Sequence, residues 1–95
     1  MAGNAVKILT IGRKDADIVI DDANHQISRL HAEITITDSG NYFLVDCGSS
    51  NGTSVKRQNT WKPVKQEFVF SEEEVRFGGY YAITVGELLA MANGR

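Results

Sequence analysis

The chain has 95 residues, of which 42% are hydrophobic and 23% charged, with a single proline; this describes a globular domain and excludes disordered, collagenous and coiled-coil classes. Ten Lys and Arg against twelve Asp and Glu leave a net charge of -2, which argues against a protein held to nucleic acid by a broad basic surface. No run of about 20 apolar residues is present to cross a membrane, Met1 to Lys7 do not read as a secretory signal, and Cys47, alone in the chain, cannot form an internal disulfide. A reducing, cytoplasmic setting without membrane or nucleic-acid partners is the expectation.

In chain order, apolar residues alternate or fall in short runs, the two-residue period of strands. Val6 to Ile11 is the first run, ended by Gly12, and Asp17 to Ile20 the second, closed by the turn formers Asp21, Asp22 and Asn24. Ala32 to Thr37 alternates cleanly, Asp38-Ser39-Gly40-Asn41 turns the chain, and Tyr42 to Asp46 returns it, which predicts a hairpin. A polar loop from Cys47 to Gly52 ends in Asn-Gly, a pair suited to positive φ, before Thr53-Ser54-Val55 re-enters a strand. Lys56 to Lys62 reads as an exposed loop. Val64 to Phe70, Glu74 to Phe77 and Tyr80 to Val85 are further strands, with Gly78-Gly79 as a turn, and only Glu87 to Ala92 looks helical. About eight or more short strands indicate an all-β sandwich or barrel.

Strands supply scaffold, so function is expected in loops. Three loops carry unusual sets: Gly12-Arg13-Lys14, Ser28-Arg29-Leu30-His31, and Gly48-Ser49-Ser50-Asn51-Gly52. Gly12-Arg13, Ser28-x-x-His31 and Asp46-x-Gly48-Ser49-x-Asn51-Gly52-Thr53, in this order, resemble the forkhead-associated (FHA) domain, over about residues 6–85. The resemblance implies an FHA-type (SMAD/FHA-like) β-sandwich of about eleven strands whose loops bind phosphothreonine peptides of a partner protein in signalling, without catalysis or cofactor. It also implies roles. Arg13, Ser28, Arg29 and Ser50 would bind the phosphate, and Asn51 the peptide backbone. His31 would brace the site, Gly12 and Gly52 would allow its turns, and Gln26 would stand where residues beyond the phosphothreonine are selected. The Lys56 to Lys62 loop and the Phe70 to Glu74 turn are candidate second walls for that selection. Residues 1–95 read as one domain, monomeric in isolation, of a longer protein or a small adaptor. A phosphorylation-independent or self-associating FHA-fold module is the alternative.

The chemistry of these residue types fits independently. A phosphothreonine carries about -1.5 to -2 charge and three acceptor oxygens, so its site needs donors and positive charge but no base. An arginine fork grips two oxygens, serine hydroxyls fill other directions, and an asparagine amide can both donate to and accept from a peptide backbone. Blander readings stand beside these. Lys14 is an ordinary solvated charge, the aromatics including Trp61 are core or sheet-face residues, and Glu72-Glu73-Glu74 is a solvated turn whose functional alternative is to repel acidic peptides. Cys47 is a small packed residue. His25, His31 and Cys47 lack metal-ligand spacing. Ser28, His31 and Asp46 invite a hydrolase triad, but an odd separation in extended chain turns Ser28 and His31 to opposite faces, and no Gly-x-Ser-x-Gly elbow exists.

Overall fold

The computed structural model describes residues 7–21 and 25–93. Nine strands form two sheets and are followed by one helix. The strands are β1 (Lys7–Gly12), β2 (Ile18–Val19), β3 (Ala32–Ile36), β4 (Tyr42–Asp46), β5 (Thr53–Arg57), β6 (Thr60–Pro63), β7 (Gln66–Val69), β8 (Glu74–Phe77) and β9 (Tyr81–Thr84), and the helix is α1 (Val85–Asn93). The first sheet has the order β2-β1-β3-β4-β7 and the second β6-β5-β8-β9. Alternation sets which side chains meet between them. Leu9, Ile11, Ile34, Leu44 and Val69 from the first sheet pack against Val55, Val75 and Phe77 from the second, with Val85 and Leu88 of α1 closing the core. Fully burying an aliphatic or aromatic side chain is worth about 1.5–3 kcal/mol, so this single cluster holds the sheets together.

The register decides which loops share an end. Ile11 pairs with Ala32, and Ala32 with Asp46. At the same end β5 begins, because Thr53 pairs with Phe77 and the Gly78 N–H donates to the Gly52 carbonyl at 2.9 Å. One end therefore gathers the connections after β1, before β3, between β4 and β5, between β6 and β7, and between β8 and β9. The other end holds the β3–β4, β5–β6 and β7–β8 turns.

Four expectations are corrected. Nine strands stand among the described residues rather than about eleven. The segment 56–62 is not a loop but most of the β5–β6 hairpin, Arg57 pairing with Thr60 across Gln58 and Asn59 at φ 54° and 61°. The helix begins earlier than Glu87, at Val85, because Thr84 Oγ1 accepts the Glu87 N–H at 3.1 Å while Glu87 Oε1 accepts the Thr84 N–H at 3.2 Å, a reciprocal cap on two otherwise orphaned donors. Lastly, Glu73 is not merely solvated. It takes Arg57 Nε at 2.8 Å and Nη2 at 3.1 Å, and Glu67 takes Arg57 Nη1 at 3.0 Å. No helix among the described residues is long and apolar enough to cross a membrane.

Candidate functional site

Gly12 ends β1 where the backbone of the 26–31 segment crosses closely. A Cβ at position 12 would lie 1.7 Å from the Arg29 carbonyl oxygen, so only glycine permits the approach. That approach fixes the next residue: the Arg13 N–H donates to the Ser28 carbonyl at 3.0 Å, and Arg13 Nε to the Ile27 carbonyl at 3.0 Å. Spending Nε on the scaffold leaves both terminal nitrogens of the guanidinium for an anion.

His31 locks the second loop to the third. It is fully buried, with Nδ1 accepting the Ser28 N–H at 3.0 Å and Nε2 meeting the Gly52 carbonyl at 2.8 Å. An acceptor at Nδ1 and a donor at Nε2 describe one neutral tautomer, and Phe77 packs edge-on against the ring at a centroid distance of 5.6 Å. The imidazole thus ties residue 28 to residue 52. Ser28 Oγ then accepts the Ser50 N–H at 3.1 Å, which orients the Ser28 hydroxyl hydrogen away from that bond and toward other acceptors.

The third loop is folded around Asp46. Its carboxylate accepts the Gly48 and Ser49 N–H groups at 3.1 Å each, and the Ser49 and Thr53 hydroxyls at 2.6 Å each. Burial raises this carboxyl, but the hydrogen bonds from Ser49 and Thr53 outweigh it and hold the group below its ordinary value. Ser49 Oγ also accepts the Gly52 N–H at 3.0 Å, and Gly52 sits at φ 88°, a backbone region that suits glycine. Ser50 and Asn51 are left exposed at the crest of a braced loop. Asn51 Nδ2 donates to the Gln26 carbonyl at 3.0 Å, leaving one amide hydrogen and the carbonyl oxygen for a peptide strand.

Hydrogen bonds therefore bring Arg13, Ser28, Ser50, Asn51 and Gln26 to one surface, with His31, Gly12 and Gly52 beneath it. Arg29 is exposed in the same loop as Ser28. The two candidate walls do not join them. The Gln58-Asn59 turn and the Phe70 to Glu74 turn lie at the opposite end, since Arg57 pairs with Thr60 and Val69 with Tyr42. The turn that does stand beside Gln26 is Gly78 to Tyr80: a Cβ on Gly78, whose φ is 69°, would lie 2.7 Å from the Gln26 carbonyl oxygen. Sequence reasoning placed Asp46, Ser49 and Thr53 in the third motif but gave none of them a bracing role; the signal for it was Asp-x-Gly-Ser, a carboxylate placed to accept the next two or three amides. No triad forms, because both nitrogens of His31 are taken by backbone groups and the Ser28 hydroxyl faces Ser50. Cys47 has its thiol pushed up by burial, with Glu33 and Asp46 adding to the effect, so it is not activated as a nucleophile.

The chain matches the family model of the FHA domain over residues 9–78 and belongs to that family. It is 38% identical over 77 residues to the oxoglutarate dehydrogenase inhibitor of Corynebacterium diphtheriae, covering 80% of this chain and 49% of that protein. The chain thus spans about half the length of that curated relative. Among solved structures, the FHA domain of the CT664 protein from Chlamydia trachomatis superposes with a TM-score of 0.64 at 31% identity, covering 76% of this chain and 68% of the other. Mycobacterium tuberculosis EmbR in complex with a low affinity phosphopeptide gives a TM-score of 0.62 at 34% identity, covering 81% of this chain and 19% of the other.

Proposed function

We propose that this domain binds phosphothreonine-containing segments of a partner protein and recruits that partner without catalysing a reaction. The observation that carries the reading is the convergence of Arg13, Ser28 and Ser50 by direct hydrogen bonds, with the terminal nitrogens of Arg13 left unspent and no carboxylate paired to Arg13 or Arg29 among the described residues. The structural relative EmbR has been solved in complex with a low affinity phosphopeptide, which supports the ligand class. Arg13 grips two phosphate oxygens, Ser28 and Ser50 donate to the third, Arg29 adds charge, and Asn51 bonds the peptide backbone beside the phosphothreonine. Gln26 and the neighbouring Gly78 to Tyr80 turn meet the flanking residues.

Charge-assisted hydrogen bonds contribute about 1.5–3 kcal/mol each, and association with peptide ordering takes back several kcal/mol. Three or four such contacts leave micromolar affinity, reversible as a recruiting module requires. His31 has both ring nitrogens engaged by backbone groups and so is not placed to act as a base. Calorimetry with a phosphothreonine peptide library and the unphosphorylated counterparts tests the reading. Micromolar binding confined to phosphorylated members is expected, and equal binding of both forms would favour a phosphorylation-independent module.

A further inference from the structure

The described residues include four arginines, and three are accounted for. Arg57 is held by Glu67 and Glu73, and Arg13 and Arg29 stand at the phosphate loops. Arg76 is the fourth. Its neighbours Val75 and Phe77 are buried in the core, so alternation puts Arg76 on the outer face of the second sheet. There it pairs across the strands with Ser54 on one side and with Ala82 on the other.

The guanidinium stacks on the Trp61 ring, 4.5 Å from its centroid, and Lys56 Nζ stands 5.8 Å from the same ring. Stacking uses the face of a guanidinium, while its N–H donors point outward in its plane and still need acceptors. Arg76 has none: no ion pair includes it, and its Nε is the one buried side-chain polar atom without a hydrogen-bond partner among the described residues. Nε itself, being buried, is out of an incoming group's reach, so the donors Arg76 offers a ligand are its two terminal nitrogens. Lys56 does not compete for a ligand in the same way, because it pairs with Glu74 at 3.7 Å.

We propose that the Trp61–Arg76 shelf, with the Ser54 hydroxyl beside it, is a second contact surface that takes a carboxylate side chain from an acidic segment of the phosphorylated partner. It rests on the phosphopeptide reading for the identity of that partner. Two observations select a carboxylate. The patch carries one net positive charge, Arg76 and Lys56 against Glu74, which matches a monoanion and falls short of a phosphate dianion. Ala82, across from Arg76 on β9, is exposed and small, so no bulky side chain covers that flank of Arg76. The location suits a continuing peptide: Ser54 is two residues beyond Gly52, about 7 Å along β5, so a chain crossing the loops reaches this face within a few residues.

The test uses phosphothreonine peptides carrying a tail of four glutamates or four glutamines, on either side of the phosphothreonine. The Glu-tailed form is expected to bind the native domain about three- to tenfold more tightly than the Gln-tailed form, the range for one or two partly exposed charge contacts. Arg76→Gln should bring the ratio to one while leaving the affinity of the Gln-tailed peptide unchanged. A ratio of one in the native domain, or a ratio that persists in R76Q, would overturn the proposal. The unphosphorylated Glu tail separates this surface from the phosphate loops, because Trp61 is the only tryptophan in the chain and reports on it by fluorescence. If no phosphothreonine peptide binds, the functional reading fails. In that case a Trp61 emission change with the Glu tail, absent with the Gln tail, supports the shelf, and no change removes it.

Discussion

His31 holds more of the site than any residue that would touch ligand. Its two ring bonds, to the Ser28 N–H and the Gly52 carbonyl, make the separation of the second and third loops a property of one imidazole. Removing it leaves a cavity beside Phe77 and the Ser28 N–H without its acceptor, while the Gly52 carbonyl keeps only the Gly78 N–H. His31→Ala is therefore expected to cost about 2–4 kcal/mol, read as a lower denaturation midpoint, and to weaken phosphopeptide binding though it touches no phosphate. Unchanged stability would remove the bracing role. Arg13 and Ser28 are predicted to behave oppositely. Neither anchors the core, so Arg13→Ala or Ser28→Ala should lower phosphopeptide affinity about 10- to 100-fold, one charged contact's worth, with the melting temperature shifted only slightly. Gly12→Ala forces a Cβ onto the Arg29 carbonyl and should abolish binding through the loop backbone, visible as displaced amide resonances across residues 26–31.

The elements were legible where side chains announce their period and obscure where backbone geometry decides. β3 and β4 fell almost residue for residue where the hairpin was expected. The β5–β6 hairpin did not announce itself, since its two-residue turn is Gln58-Asn59 at positive φ, and glutamine carries none of the usual turn signal. The same omission misplaced the specificity walls: with 56–62 taken as a loop, nothing in the sequence told that its tip faces away from the phosphate loops. The remote end has its own clip, Arg57 with Glu73 and Glu67. Hydrogen bonding from Arg57 outweighs burial and holds the Glu73 carboxyl below its ordinary value, as the hydroxyls do for Asp46. A carboxyl depressed in the folded state binds fewer protons there than in the unfolded chain, so its contribution is full above about pH 4–5 and is lost as pH falls through the folded value. Urea unfolding between pH 6 and 3 should show stability falling with acid, and Glu73→Gln should flatten that slope while phosphopeptide affinity at pH 7.5 stays unchanged. Asp46→Asn should flatten the slope and weaken binding as well. Equal effects of the two variants on binding would contradict the separation of the two ends.

Across the whole molecule, a net charge of -2 is compatible with the proposed anion site because the positive charge is local. Asp46 lies beneath the loops but spends its oxygens on four donors, while among the described residues no carboxylate is paired to Arg13 or Arg29. Family, fold class and the three motif loops could all be read from the sequence, since each depends on residue types at fixed spacing. Which end each turn occupies, and that Arg76 on an ordinary-looking strand lacks an acceptor, depend on register and packing and emerge only in three dimensions. Recognition is predicted to require one phosphorylated threonine, whose place the partner's other negative charges do not take. Calorimetry of the native domain against one peptide in three forms, carrying phosphothreonine, threonine or glutamate at the same position, tests it most directly. Micromolar binding of the phosphorylated form alone, lost in Arg13→Ala, is predicted; comparable binding of the glutamate or unmodified peptide would contradict it.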